Sequence, residues 1–272
     1  MITLQDILVT GSGGALGTYC SFGTRVGRDE LDVTDLREVM RVCEDKKPKV
    51  IVHCAAMTDL AFCEQNPDKA YLVNSAGTYH MALGARNVGA KLIYISTSDV
   101  FDGKKADPYI VNDIPNPTTV YGRSKHLGEL SIKGILDDYV IMRISWMFGG
   151  GPQKDSKFVG KILMQKNAPE IRAVTDTKAS PAWAKDIAGA VQKLLEEDRR
   201  GICHVGGGSA TRYDMAREIA SIAGWKTEIV PVLSSAFPSA YPIGKNQSMP
   251  VSPLVRPWQE ALEEYIHEEW HL

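Results

Sequence analysis

Four apolar runs constrain the fold of this chain most. Ile7-Leu-Val-Thr10, Val50-Ile-Val-His-Cys54, Leu92-Ile-Tyr-Ile-Ser96 and Tyr139-Val-Ile-Met-Arg-Ile144 are continuous, with no polar alternation. Strands that read this way are covered on both faces, as in a parallel sheet between two helical layers. Helical patterns stand between them. After Thr34, residues Leu36, Val39, Met40 and Cys43 recur with the spacing of an amphipathic stripe. Asn66-Pro67 has the form of an N-cap followed by proline in the first turn, and predicts a helix ending near Gly89. Its small residues, Ala70, Gly77 and Gly84, would let it lie close to a sheet. The alternation predicts an α/β fold, a Rossmann-like doubly wound parallel sheet.

The pattern loosens after residue 148. Gly149-Gly-Gly-Pro152 is a breaker cluster, and Leu233 to Pro257 carries five prolines and little periodicity. Trp183 to Glu197 and Tyr213 to Ala223 still read as helices. Residues 1–148 are therefore expected to form the sheet domain, and residues 149–272 a smaller, loop-rich part. A segment around 184–206 of that second part is expected to complete the first domain.

Charge and composition narrow the function classes. With 31 Lys+Arg against 33 Asp+Glu, the net charge is -2, without the concentrated basic face that nucleic acid requires. The clusters Lys46, Lys47, Lys49 and Arg199, Arg200 read as solvated helix ends. No apolar run approaches the ~18 residues of a membrane span, and the start lacks the basic flank and apolar stretch of a signal peptide. Five widely spaced cysteines, an odd number without a Cys-x-x-Cys, indicate reduced thiols in a cytoplasmic compartment. His267 and His271 stand at helical spacing, but a charged terminal helix accounts for them, and no metal site is expected.

Gly11-Ser-Gly-Gly-Ala-Leu-Gly17 directly follows the first predicted strand and precedes a candidate helix. Glycines there permit a tight turn and the close approach of a pyrophosphate to backbone N–H groups, which points to a dinucleotide. A second strand ending in an acidic residue should follow about 20 positions on. Only a short segment remains, with Thr24-Arg-Val-Gly27 as a vestigial second strand. Asp29 beyond it would accept from a ribose hydroxyl and favour NAD, whereas Arg25 or Arg28 would hold a 2′-phosphate and favour NADP.

Two segments match Tyr-x-x-x-Lys. Tyr241 and Lys245 enclose Pro242 and Gly244, which oppose a helix, so only Tyr121 and Lys125 remain. On a helix that spacing puts both side chains on one face. The ammonium would then lower the phenol's pKa towards neutrality, as acid catalysis requires. The polar turn Ser96-Thr-Ser-Asp99 ends the preceding strand, where ligands sit in such folds, and Thr97 or Ser98 would offer a hydroxyl to the same reacting oxygen.

Taken in order, these pieces resemble the extended short-chain dehydrogenase/reductase family, and within it the reductases of nucleotide-linked 4-keto-6-deoxy sugars. The resemblance is carried by Gly11 to Gly17, Leu31-Asp-Val-Thr-Asp35, Ala55-Ala-Met-Thr58, Val73-Asn74, Ser96-Thr97 with Val100-Phe-Asp-Gly103, Tyr121 to Lys125 with Gly128-Glu129, and Arg143-Ile-Ser-Trp146. It implies that Gly11, Gly14, Ala15 and Leu16 meet the cofactor pyrophosphate and that Asp32 and Val33 meet the adenine, with Gly17 and Arg28 as further candidate cofactor contacts. Ala55, Ala56, Met57 and Thr58 would line the cofactor's far side. Thr97, Tyr121 and Lys125 would be catalytic, with Tyr121 and Lys125 also touching the cofactor, and Thr97, Ser98 and Trp146 would bind the sugar. The implied reaction is hydride transfer from NADPH, with NADH as the alternative, to a 4-keto carbon, in a cytoplasmic enzyme whose base-rate assembly is a homodimer.

Two departures stand out. The family's Ser-Thr-Asp-Tyr-Val-Phe is here Ser96-Thr-Ser-Asp-Val-Phe101, and its Arg-Pro substrate segment is replaced by Ala240-Tyr-Pro242 and Asn246-Gln-Ser-Met249. An epimerase or dehydratase acting on a nucleotide sugar, and a non-catalytic cofactor-binding regulatory subunit, are the alternatives these changes keep open.

Overall fold

The computed structural model describes residues 3–272. All four apolar runs are strands, at Ile7–Thr10, Val50–His53, Lys91–Thr97 and Tyr139–Ile144. With Thr24–Val26 and Gly201–Val205 they make one six-stranded sheet, parallel throughout. Numbered along the chain, the strands lie in the order 2-1-3-4-5-6. The order reverses between the first and third strands, which places a crevice at their carboxyl ends.

Successive residues of each strand feed different cores, as the two-residue period demands. Ile7, Val9, Val50, Val52, Ile93 and Val140 face a layer that includes Ala184–Glu196 and Trp258–Trp270. Leu8, Ile51, Leu92, Tyr94 and Ile141 face Leu36–Lys46, Gly77–Val88 and Val120–Ile135. Burial on both faces is the physical reason the runs lack polar alternation.

The structure amends three expectations. No helix follows the glycine loop. Residues 11–23 form turns, with Gly14 N–H donating to Gly11 O at 3.0 Å and Thr18 N–H to Gly14 O at 3.1 Å. Cys20 and Phe22 then drop into the core, 0% and 3% exposed, and leave no length for a helix before the second strand. The stripe of Leu36–Lys46 is also shifted: Val39, Val42 and Cys43 are buried, whereas Leu36 is exposed. Finally, the helix opened by Pro67 runs to Val88 through a wider π turn at Leu72–Ala76. Its glycines serve approach to a helix and a loop instead of the sheet. A Cβ on Gly84 would lie 2.8 Å from Cys43 Sγ, and one on Gly77 2.8 Å from Val33 Cγ2.

After the fifth strand the chain builds a smaller part from two-stranded pairings. Glu170–Val174 pairs with Glu228–Val232, Lys178–Ala179 with Ala210–Thr211, and Met147–Phe148 with Ala182–Trp183. Residues 233–257 are almost entirely loop. No helix among the described residues is long and apolar enough to cross a membrane.

A buried ion pair ties the sheet to the helix Val120–Ile135. Arg143 donates to both oxygens of Glu129, at 2.9 and 2.7 Å, and Ser96 Oγ donates to Oε1 at 2.5 Å. Burial opposes the Glu129 charge, but the bonds from Arg143, His126 and Ser96 prevail and hold the carboxyl at about 2. A depressed folded pKa gives stability that is complete above the unfolded value near 4.5 and lost as pH falls towards about 2. Arg143→Met should therefore destabilise the protein by about 3–5 kcal/mol at pH 7. It should also flatten the loss of stability across that acid window, as read by urea unfolding at stepped pH.

Candidate active site

The glycine loop is a turn packed against the end of the third strand. Gly11 has φ 68°, and a Cβ there would meet Ala55 N at 2.6 Å. A Cβ on Gly17 would meet Gly11 O at 2.2 Å. Both positions require glycine, and the compact turn leaves Gly13 and Gly14 exposed at the crevice. Ala15 is half-buried, and the Leu16 side chain is in the core, so only its backbone can serve a ligand. Beneath the loop, His53 Nδ1 lies 2.8 Å from the Thr10 hydroxyl and is wholly buried; burial and the Lys125 charge push it down to about 3. It is a neutral structural histidine.

At the end of the second strand, Arg25 donates to Ser12 O at 3.3 Å and Arg28 is exposed close by. Asp32 caps its own turn, accepting from the Thr34 N–H at 2.9 Å and the Thr34 hydroxyl at 2.7 Å, and those bonds hold its carboxyl below the usual range. Val33 packs on Gly77. Ala55, Ala56, Met57 and Thr58 run in extended coil beyond the third strand. Asn74, in the π turn, pins that coil: its Oδ1 accepts from Met57 N at 2.8 Å, and its Nδ2 donates to Met57 O at 2.9 Å and Ser124 Oγ at 3.0 Å. The glycine cradle and the exposed Arg25 and Arg28 suit a dinucleotide with a 2′-phosphate.

Tyr121 and Lys125 lie in the first turns of Val120–Ile135, which Thr119 caps by accepting from Gly122 N at 3.0 Å. Both are buried, at 8% and 2% exposure. Lys125 Nζ stands 4.0 Å above the Tyr94 ring, and burial draws the ammonium down to about 7. The expected depression of the phenol is not what the site shows. Burial, and then the facing Asp99 carboxylate, push Tyr121 well above its ordinary value, with Thr97 acting against them. Tyr121 is therefore fully protonated at neutral pH.

Thr97 ends the fourth strand beside the fifth, opposite Ile144. Its hydroxyl accepts from Asp99 N–H at 3.1 Å and donates to Asp99 Oδ2 at 3.0 Å. Ser98 is buried, at 1% exposure, with its hydroxyl donating to Ser145 Oγ at 3.0 Å. The group facing Tyr121 is Asp99, held by Gln247 Nε2 at 2.7 Å, and burial raises its carboxyl pKa. The sequence singled out Asp99 only as a departure, and nothing local linked it to Gln247. Trp146 follows the fifth strand, partly buried. A cavity of about 690 Å³ runs between Thr118 and Thr211 and is lined by Lys104, Lys105, Lys178 and Lys245.

Crevice, buried Tyr–Lys pair and strand-end threonine thus occupy one end of the sheet. A family model described as RmlD substrate binding domain matches residues 5–270. The chain belongs to that family. The spore coat polysaccharide biosynthesis protein SpsK of Bacillus subtilis is 35% identical, over 97% of this chain and 98% of that protein. A dTDP-4-dehydrorhamnose reductase of Mycobacterium tuberculosis is 33% identical, over 88% and 82%. The structure of dTDP-4-dehydrorhamnose reductase from Bacillus anthracis in complex with NADP superposes with a TM-score of 0.90 at 30% identity, covering 96% of this chain and 98% of that one.

The loop geometry makes a discriminating prediction. A Cβ on Gly13 meets nothing within 4 Å, whereas one on Gly14 meets Gly11 O at 3.2 Å. Gly14→Ala should weaken NADPH binding at least about tenfold in fluorescence titration, because the tight turn must open where the backbone receives phosphate. Gly13→Ala should leave both affinity and melting temperature near wild type.

Proposed function

We propose that the protein is an NADPH-dependent reductase of a nucleotide-linked 4-keto-6-deoxy sugar, the dTDP-4-dehydrorhamnose reductase step of dTDP-L-rhamnose formation. The observation that carries this reading is the buried Tyr121–Lys125 pair beside Thr97, next to the glycine cradle at the sheet's carboxyl end. Residues 1–148, joined by the segment around 184–206, serve as the cofactor-binding part, and the remainder of 149–272 as the substrate-binding part. The sixth strand, Gly201–Val205, supports that division by pairing with the fifth. Five free thiols fit a cytoplasmic setting, and a homodimer is the assembly we expect.

Gly11, Gly14, Ala15, Leu16, Gly17, Arg28, Asp32, Val33 and the coil Ala55 to Thr58 would hold NADPH, which supplies the hydride when bound. Tyr121 then acts as the acid. Its raised pKa keeps the proton on the phenol until an alkoxide, a far stronger base, develops at the sugar carbon. Lys125, as the ammonium, stabilises the tyrosinate left behind. Thr97 would orient the carbonyl oxygen by turning to it the hydroxyl proton that it gives to Asp99 in the free protein. Trp146 offers an apolar wall to the deoxy sugar.

Consumption of NADPH and of NADH on dTDP-6-deoxy-L-lyxo-4-hexulose tests the reading. Tyr121→Phe should lower kcat by about 10²–10⁴, and Lys125→Ala should be similarly impaired. Because Lys125 titrates at about 7, kcat/KM in the wild type should fall as pH rises through neutrality and the ammonium is lost. Tight NADPH binding with no turnover of this substrate would sink the assignment.

A further inference from the structure

Among the described residues, several buried and half-buried cations are paired with carboxylates. Arg143 is paired with Glu129 at 2.7 Å, Arg256 with Asp186 at 3.0 Å and Lys91 with Asp198 at 2.7 Å. Arg212 differs. It is the first residue of the helix Arg212–Ile222, and its guanidinium carbon lies 3.5 Å from the centre of the Trp146 ring and 4.5 Å from that of Phe158. Half-buried there, it makes no salt bridge and no side-chain hydrogen bond among the described residues. Asp214, two residues on, is already used by Thr211, accepting from its N–H at 2.9 Å and its hydroxyl at 2.7 Å. Burial accordingly draws Arg212 down to about 9.

Stacking occupies the faces of a guanidinium and leaves the N–H donors in its plane unused. A planar fork of free donors matches the oxygens of a phosphate, which it can grip bidentately. Position supports this use. Trp146 lies two residues beyond Ile144, which pairs with Thr97 at the carboxyl end of the sheet, so the guanidinium stacked on it sits at the end that carries Thr97, and the Tyr241 phenol feels both Asp99 and Arg212. Thr211, its neighbour, lines the cavity that Lys104, Lys178 and Lys245 also border.

We infer that Arg212 is the anion clamp of the substrate site, taking the diphosphate of the sugar nucleotide in a fork that Trp146 and Phe158 hold rigid. This rests on the nucleotide-sugar reading above and assigns a residue to its charged half. The stacked aromatics remove the rotamer freedom that an arginine otherwise loses on binding, so the clamp is preorganised. The cavity lysines sit on flexible stems and add only a diffuse field.

Calorimetric titration of the NADPH-loaded protein with dTDP, UDP and thymidine tests the clamp in wild type, Arg212→Gln and Arg212→Lys. In Arg212→Gln, dTDP affinity should fall on the order of tenfold to a hundredfold. Thymidine and NADPH affinities should not move, and Arg212→Lys should recover part of the loss. Equal dTDP affinity in wild type and Arg212→Gln overturns the clamp, even where the dTDP-sugar is turned over normally. If UDP binds in place of dTDP with the same dependence on Arg212, the clamp stands and the dTDP substrate falls. Wild type that binds neither diphosphate overturns both. Should Arg212→Gln not fold, Arg212→Lys decides alone, since loss of the planar fork should cost severalfold in dTDP affinity and an unchanged value refutes it.

Discussion

Glu129 receives donors from two directions, Ser96 on the fourth strand and Arg143 in a bidentate grip from the fifth, and His126 Nδ1 lies 3.5 Å away one turn back on its own helix. Glu129 stands one turn beyond Lys125, and Ser96 one residue before Thr97. The carboxylate therefore fixes the rotation and height of the catalytic helix against the strand that carries its partner hydroxyl. Apolar side chains alone would allow the helix to slide with little change in buried area. A bidentate arginine–carboxylate pair in a low-dielectric core does not slide, because any displacement leaves a buried charge uncompensated. Asn74 supplies a second anchor by lacing the coil after the third strand to Ser124 on the same helix.

Much of this was legible in the chain itself. Strands buried on both faces must be apolar throughout, so their positions could be read within a residue or two. Glycine at 11 and 17 answers to backbone atoms less than 3 Å from where a Cβ would stand, and no other residue type fits there. The four-residue spacing of Tyr121 and Lys125 belongs to the helix, and Pro242 and Gly244 correctly excluded the other match, which lies in loop. Where local pattern misled, tertiary packing had overruled it. Leu36 completes a stripe on paper yet faces solvent, because the helix turns Val39, Val42 and Cys43 towards the sheet layer and Gly84.

The substrate side was not legible, for a reason rooted in chain topology. Gln247 meets Asp99 across 148 residues, Asn246 donates to the backbone carbonyls of Lys105, Ala106 and Asp107 across about as many, and Tyr19 donates to Glu269 across 250. The first two come from a proline-rich segment without periodicity and the third from the terminal helix Trp258–Trp270, so no spacing rule anticipates them. Once formed, they dictate what the strand-end turn presents. Ser98 is drawn beneath the surface to Ser145, and Asp99 is left to face the phenol.

Charge in the cleft is arranged locally, against a near-neutral total. Arg25 and Arg28 flank the glycine loop at one end, and Arg212 with the cavity lysines marks the other. Asp99 faces Tyr121, where an added cation would favour tyrosinate and a nearby anion favours the neutral phenol. A donor of protons needs the second condition and a binder of two anionic ligands needs the first, so the two demands have to be separated in space. Tyr241 feels both sides of this arrangement: burial and Asp99 raise its pKa, and Arg212, stacked on Trp146, opposes them.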